Sequence, residues 1–332
     1  MRLKTLWLGL GIILLCEVFL LVDVVRRGGV VVPEGPLPTP DGWLGGLARW
    51  IAVNMTGICW VAYLFVIDGA LTVLARRKQD RLIASIRTRP YRFAVAAVTG
   101  IPVWCYFDWI NFQFMDAWCY HGLPDQWWQR WIGYFVAFAA ISPGMFLAAQ
   151  FYQFLGLKRL QLTARKSRAR DTGSMRPIVV RINLPIQIVV LLLGVTFTLY
   201  PAIVGDPIGN MTLWVSLMFL LDPVNYWLGG ESIIGDWRDG RFGRTVALMV
   251  GGGTCGLLWE FWNYWAVAKW TYNLPFLGFL EQYRYFEMPW LGFQGFLPFA
   301  IECWVVFNFF LILTGKMNLR IAEPLPDEHA II

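Results

Sequence analysis

Seven carboxylic acids stand inside stretches of otherwise apolar sequence: Glu17, Asp23, Asp68, Asp108, Asp222, Glu260 and Glu302. An ionisable side chain at bilayer depth costs about 2.5–3.5 kcal/mol on insertion scales. Each acid must therefore be protonated, hydrogen-bonded, metal-bound or facing water. Three of them share a pattern. Asp108 is followed by Asn111, Asp222 by Asn225, and Glu260 by Asn263. On a helix, residues three apart share a face, so each pair presents a carboxyl beside a carboxamide. Such pairs can glue helices together for about 0.6–2 kcal/mol. They can also ligate a cation, handle a proton or cradle a polar headgroup. Oxygen ligands suit Mg²⁺ or Ca²⁺, but none of the pairs has a metal-loop spacing, so no metal is assigned.

A carboxyl in apolar surroundings can act as a general acid. Glu260 and Glu302 are the candidates for that role, with Asp108, Asn111 and Asn263 orienting a headgroup. Asp222 and Asn225 form a second polar pair deeper in the membrane. His121, Lys269 and Glu287 fall at or beyond the outer boundary and complete the candidate ligand set. Lys269 is expected at the interface, where lysines snorkel. Only two histidines occur, His121 and His329, which excludes a bis-histidine haem or a histidine-box iron site. The six cysteines lack any C-x-x-C spacing and read as small hydrophobes. There is no P-loop and no G-x-S-x-G.

The elements that position these residues are membrane spans. The chain of 332 residues is 57% hydrophobic and 15% charged, against about 25% charged in soluble domains. A span needs about 20 apolar residues. That rule places helices near 5–25, 50–75, 93–114, 131–155, 183–203, 211–229, 244–268 and 290–314, in one polytopic domain over 1–315 with a short cytoplasmic tail at 316–332. Of the 28 Lys and Arg residues, 22 lie at the chain ends or in loops after even-numbered helices. That asymmetry predicts an inner-membrane protein with both termini in the cytoplasm. The basic character serves orientation and the basic loop near 156–182, not nucleic acid. The fold class expected is an all-α bundle of about eight transmembrane helices.

Trp118, Trp127, Trp128 and Trp131, with Trp259, Trp262, Trp265, Trp270 and Trp290, crowd the outer side. They read as an interfacial belt or as the wall of an outward-facing pocket. Pro275, Pro289 and Pro298, with Gly292 and Gly295, predict a broken or re-entrant segment near 270–300. The three acid-x-x-Asn pairs fall at uneven intervals, and no repeat between the halves of the chain is evident.

The block Trp259-Glu260-Phe261-Trp262-Asn263, followed by Phe286-Glu287-Met288-Pro289 and the run from Leu291 to Glu302, resembles a set of bacterial multi-pass membrane proteins. The likeness extends back to FDWINF at 107–112 and LDPVNY at 221–226. It implies a membrane bundle and carries no activity. On the residues themselves, the first expectation is a Trp-roofed pocket for an amphiphile (a lipid, an isoprenoid or a quinone) with carboxylate acid–base chemistry. The alternatives are a non-catalytic subunit or assembly factor of a membrane complex, and a proton- or cation-coupled transporter.

Overall fold

The computed structural model of the protein describes residues 2–33, 35, 37–77, 90–157, 163–164, 176–177 and 181–315. Most of the basic loop near 156–182 and the whole 316–332 tail lie outside the described residues. Among the described residues eight long helices form the bundle: α1 (Arg2–Arg26), α2 (Gly42–Arg77), α3 (Pro90–Ile110), α4 (Trp127–Leu155), α5 (Leu184–Val204), α6 (Asn210–Trp227), α8 (Gly243–Trp265) and α9 (Phe296–Leu313). A short helix, α7 (Ile233–Arg238), sits between α6 and α8. Seven helical segments are long and apolar enough to cross a membrane. The remaining long helix, α8, is less apolar because it carries Arg244, Glu260 and Asn263, all buried. It packs against α4 and α9, and the face it buries there need not match lipid.

Each expected span overlaps one of these helices, with two corrections at their starts: α2 begins at Gly42 rather than near 50, and the last helix begins at Phe296 rather than near 290. Between Lys269 and Phe296 the chain makes short strands and 3₁₀ turns, as Pro275, Pro289 and the two glycines require. Pro298 falls in the first turn of α9, where its missing N–H costs no helical bond.

Two strands cross the bundle at one end. β1 (Trp118–His121) follows α3, and β2 (Lys269–Tyr272) follows α8. They pair antiparallel with Trp118 opposite Tyr272, Cys119 opposite Thr271, Tyr120 opposite Trp270 and His121 opposite Lys269. The beginning of α1 and the end of α9 lie at the other end of the bundle, since Leu6 touches Gly69 late in α2 and Tyr91 bonds Thr314.

The packing discloses a duplication that the sequence hides. α1 packs on α2, α2 on α4 and α3 on α4. In the second half α5 packs on α6, α6 on α9 and α8 on α9. The two units, α1–α4 and α5, α6, α8, α9, meet through α4 against α8 and α3 against α9. Matching glycines set the closest crossings. A Cβ at Gly100 of α3 would lie 2.6 Å from the Phe138 carbonyl oxygen of α4, and one at Gly252 of α8 would lie 2.3 Å from that of Phe296 of α9. Small residues permit such backbone approach, which is how helices associate without a hydrophobic drive between them. Parallel repeats of this kind are related by an axis along the membrane normal.

Apart from Trp265, which is half-buried, the Trp residues expected in an interfacial belt divide into two groups. Trp127, Trp128, Trp131 and Trp290 are exposed, as a belt requires. Trp118, Trp259, Trp262 and Trp270 are buried and form the core with Trp60 and Trp104. The Trp104 and Trp259 ring centroids are 4.8 Å apart, those of Trp259 and Trp270 5.2 Å, and those of Trp60 and Trp262 5.5 Å. Offset and edge-to-face pairs of this kind add about 0.5–1.5 kcal/mol each beyond area burial.

Candidate functional site

A two-stranded ribbon has two edges whose N–H and C=O groups have no strand to pair with. Where water is excluded, each must find another partner. The acid-x-x-Asn pairs supply it. Asn111 Nδ2 donates to the Trp118 carbonyl at 2.8 Å, while its Oδ1 accepts from the N–H groups of Ala117 and Trp118 at 2.8 and 3.2 Å. Asn263 repeats this: Nδ2 donates to the Trp270 carbonyl, and the Trp270 N–H donates to Oδ1, both at 2.8 Å. Each carboxamide caps one ribbon edge.

The paired acid receives the side chains of the same strand. Asp108 Oδ1 accepts from Trp118 Nε1 at 3.0 Å and from the Tyr120 hydroxyl at 3.1 Å. Glu260 Oε1 accepts from the Tyr272 hydroxyl at 2.6 Å, and Tyr272 in turn accepts from Trp270 Nε1 at 2.7 Å. Burial, and next the neighbouring carboxyl, push the Tyr120 and Tyr272 phenols well above their ordinary range, so both remain donors at neutral pH. The second oxygen of Glu260 has no hydrogen-bond partner among the described residues.

Both halves thus spell one motif, acid-x-x-Asn-x₆-Trp-x-Tyr, at 108–120 and again at 260–272. The absence of a repeat read from the sequence is corrected here. The signal was legible: residues 108, 111, 118 and 120 each recur 152 positions later, one of them as Glu for Asp. The third acid-x-x-Asn pair, in α6, obscured it by breaking the interval.

That third pair serves a different joint. Asp222 accepts from the N–H groups of Ile233 and Ile234, both at 2.8 Å, and so anchors the start of α7. Asn225 Nδ2 donates to the Val305 carbonyl of α9 at 2.9 Å. Nearby, Arg244 meets Asp236 and Glu231 at 3.3 Å and lies over the Trp304 ring. Burial raises the Asp236 carboxyl against the opposing pull of Arg244 and Arg241.

The remaining candidates separate by place. Glu302 does not meet Glu260. Its Oε1 accepts from the Leu217 N–H at 2.6 Å and from Ser216 Oγ, which ties α9 to α6 away from the ribbon. His121 Nε2 lies 2.9 Å from Thr271 Oγ1 across the ribbon. Lys269 does not reach outward as a snorkelling lysine would. It is 1% exposed, 2.5 Å from Glu287 Oε1 and 2.9 Å from the Tyr264 carbonyl. It locks β2 to the 275–295 segment. Asp23 also differs from expectation, since cations do reach it: Arg49 at 2.7 Å and Arg27 at 3.5 Å.

Two pockets flank the ribbon and share Trp104, Tyr120, Trp259 and Trp270 as walls. One, of about 400 Å³, lies between α2 and α4, within the range of small-molecule sites. The other, of about 30 Å³, lies between α6 and α9. Their linings correspond through the duplication: Asn54 to Asn210, Tyr120 to Tyr272, Trp270 to Trp118, and Phe138 to Phe296. The small pocket is lined by Trp214 and by Met288 and Gly292 of the inserted 275–295 segment. The large one has room where α2 and α4 present Gly57 and Gly133 to it. A Cβ at Gly133 would meet nothing within 4 Å, and one at Gly57 would meet Val136 at 3.7 Å and the Gly133 carbonyl oxygen at 4.0 Å. None of Asp108, Glu260 and Glu302 lines either pocket; Tyr120 connects Asp108 to the large one.

No protein-family model, curated protein or solved structure matches this chain.

Proposed function

We propose that this multi-pass protein of the inner membrane, with both termini cytoplasmic, binds the chain of a single amphiphile, such as a lipid, an isoprenoid or a quinone, in the cavity between α2 and α4. The observation that carries the reading is the cavity's place and lining. Its rim is built from Trp50, Val61, Ile132 and Val136, apolar side chains exposed on the outside of two membrane-crossing helices. It therefore opens sideways toward lipid. Along α4 it runs from Gln129 to Ile141, about 18 Å at 1.5 Å per residue. That length suits an extended chain lying along the helix.

The group placed for acid–base work is the Tyr120 hydroxyl, held by Asp108 behind it. In this reading Asp108 positions Tyr120. Glu260 and Tyr272 form the matching pair beside the smaller pocket.

Native mass spectrometry of the protein, extracted gently from its own membrane, tests the reading. A bound amphiphile is expected in the wild type and its loss in Gly133→Trp, with thermal stability in detergent unchanged. Partner subunits without a bound small molecule would support the non-catalytic subunit instead. The duplicated architecture is the observation that favours a transporter. A pH-dependent flux in proteoliposomes would establish that reading, and tight vesicles would remove it.

A further inference from the structure

The charges around the cavity go further than its shape, on the assumption that the cavity binds an amphiphile. Among its lining residues one side chain carries a charge, Arg130, and no carboxylate lines it. Arg130 stands in the first turn of α4, at the end of the cavity nearest the ribbon. Its Nε donates to the Pro124 carbonyl. That contact fixes the stem and leaves the two terminal NH₂ groups, the fork that pairs with oxyanions. No acid forms a salt bridge with Arg130 among the described residues. One turn further along α4, Tyr134 lines the same cavity; residues four apart share a helix face. An unpaired guanidinium beside a phenol, at the mouth of an apolar chain-sized cavity, matches a head that only accepts hydrogen bonds and bears negative charge.

We infer that the α2–α4 cavity takes a single-chain amphiphile with an oxyanion head, a phosphate or a carboxylate, bound by Arg130 and Tyr134. A cationic or neutral head would leave the guanidinium without a counter-charge in a partly desolvated mouth. The smaller pocket, of about 30 Å³, supports the assignment by contrast. It keeps the counterpart asparagine and tyrosine, but its lining contains no Arg or Lys. The cation belongs to the half that can hold a chain.

The test compares two probes with the same chain, tritiated farnesyl phosphate and tritiated farnesol, binding to the purified full-length protein in a neutral detergent. The expected result is tighter binding of farnesyl phosphate by about tenfold or more, as a charge-assisted pair would give. Arg130→Gln should reduce the phosphate to the level of farnesol and leave farnesol unchanged. Arg130→Lys should retain part of the preference. Where Arg130→Gln fails to fold, the wild-type preference and its decline at high salt decide the matter. Equal binding of both probes to the wild type overturns the inference and leaves the amphiphile reading standing. Binding of neither probe removes that reading as well. Competition by inorganic phosphate alone, at concentrations comparable to farnesyl phosphate, would also overturn the inference, because the site would then take a free anion.

Discussion

Asn263 caps a ribbon edge that no water reaches, and its removal has a calculable effect. The side chain is 0% exposed and satisfies one donor and one acceptor on Trp270. Asn263→Ala leaves both without partners. In mutational series a buried orphan group costs about 1–3 kcal/mol, so the pair costs about 4 kcal/mol at mid-range. Double-mutant cycles within membranes average about 0.6 kcal/mol per hydrogen bond, which sets a lower bound near 1.2 kcal/mol for two. Equilibrium unfolding in bicelles by steric trapping should therefore show a loss between about 1 and 4 kcal/mol. The duplication adds a second constraint. Asn111→Ala removes the same kind of cap and should fall in the same range. Asn54→Ala provides the contrast. Asn54 donates to the Trp50 carbonyl of its own helix, so its loss should stay within about 0.5 kcal/mol. If Asn263→Ala proves as mild as Asn54→Ala, the ribbon edge finds other partners and the account of the acid-x-x-Asn motif fails.

Three further outcomes are expected. Gly252→Leu should fail to fold, because its Cβ alone would lie 2.3 Å from the Phe296 carbonyl, whereas Gly11→Leu on α1, with nothing near it, should express and melt as wild type. Glu287→Ala should destabilise more than Lys269→Met, because it strands a lysine of 0% side-chain exposure while the converse leaves a carboxylate of 15% exposure that water reaches; melting in detergent ranks the two, and the double variant should recover part of the loss. Tyr120→Phe should abolish any turnover of a bound amphiphile while leaving its co-purification intact, since it removes the hydroxyl held by Asp108 and keeps the ring that lines the cavity. Persistent turnover would take Tyr120 out of the chemistry.

Composition, hydropathy and the placement of Lys and Arg determined the fold class, because lipid admits only segments whose backbone is satisfied internally. The approximate positions of the helices followed for the same reason. The broken segment before α9 was also legible, since Pro and Gly act through local backbone geometry. The chemistry of the polar residues was not. Spacing showed that Asp108 and Asn111, or Glu260 and Asn263, share a helix face. It could not show that each Asn is partnered by the strand residue seven positions later, Trp118 or Trp270. That contact accompanies the pairing of two strands, one from each half of the chain, across the bundle. Burial of Lys269 and of Trp118 and Trp270 follows from the same pairing, which carries loop residues inward from the interface. The open cavity is likewise tertiary. Gly57 and Gly133 lie on different helices, and only the crossing of α2 and α4 turns two missing side chains into one space. Sequence fixes which backbone must be satisfied along a helix; which side chain satisfies the backbone between helices depends on what the fold brings within 3 Å.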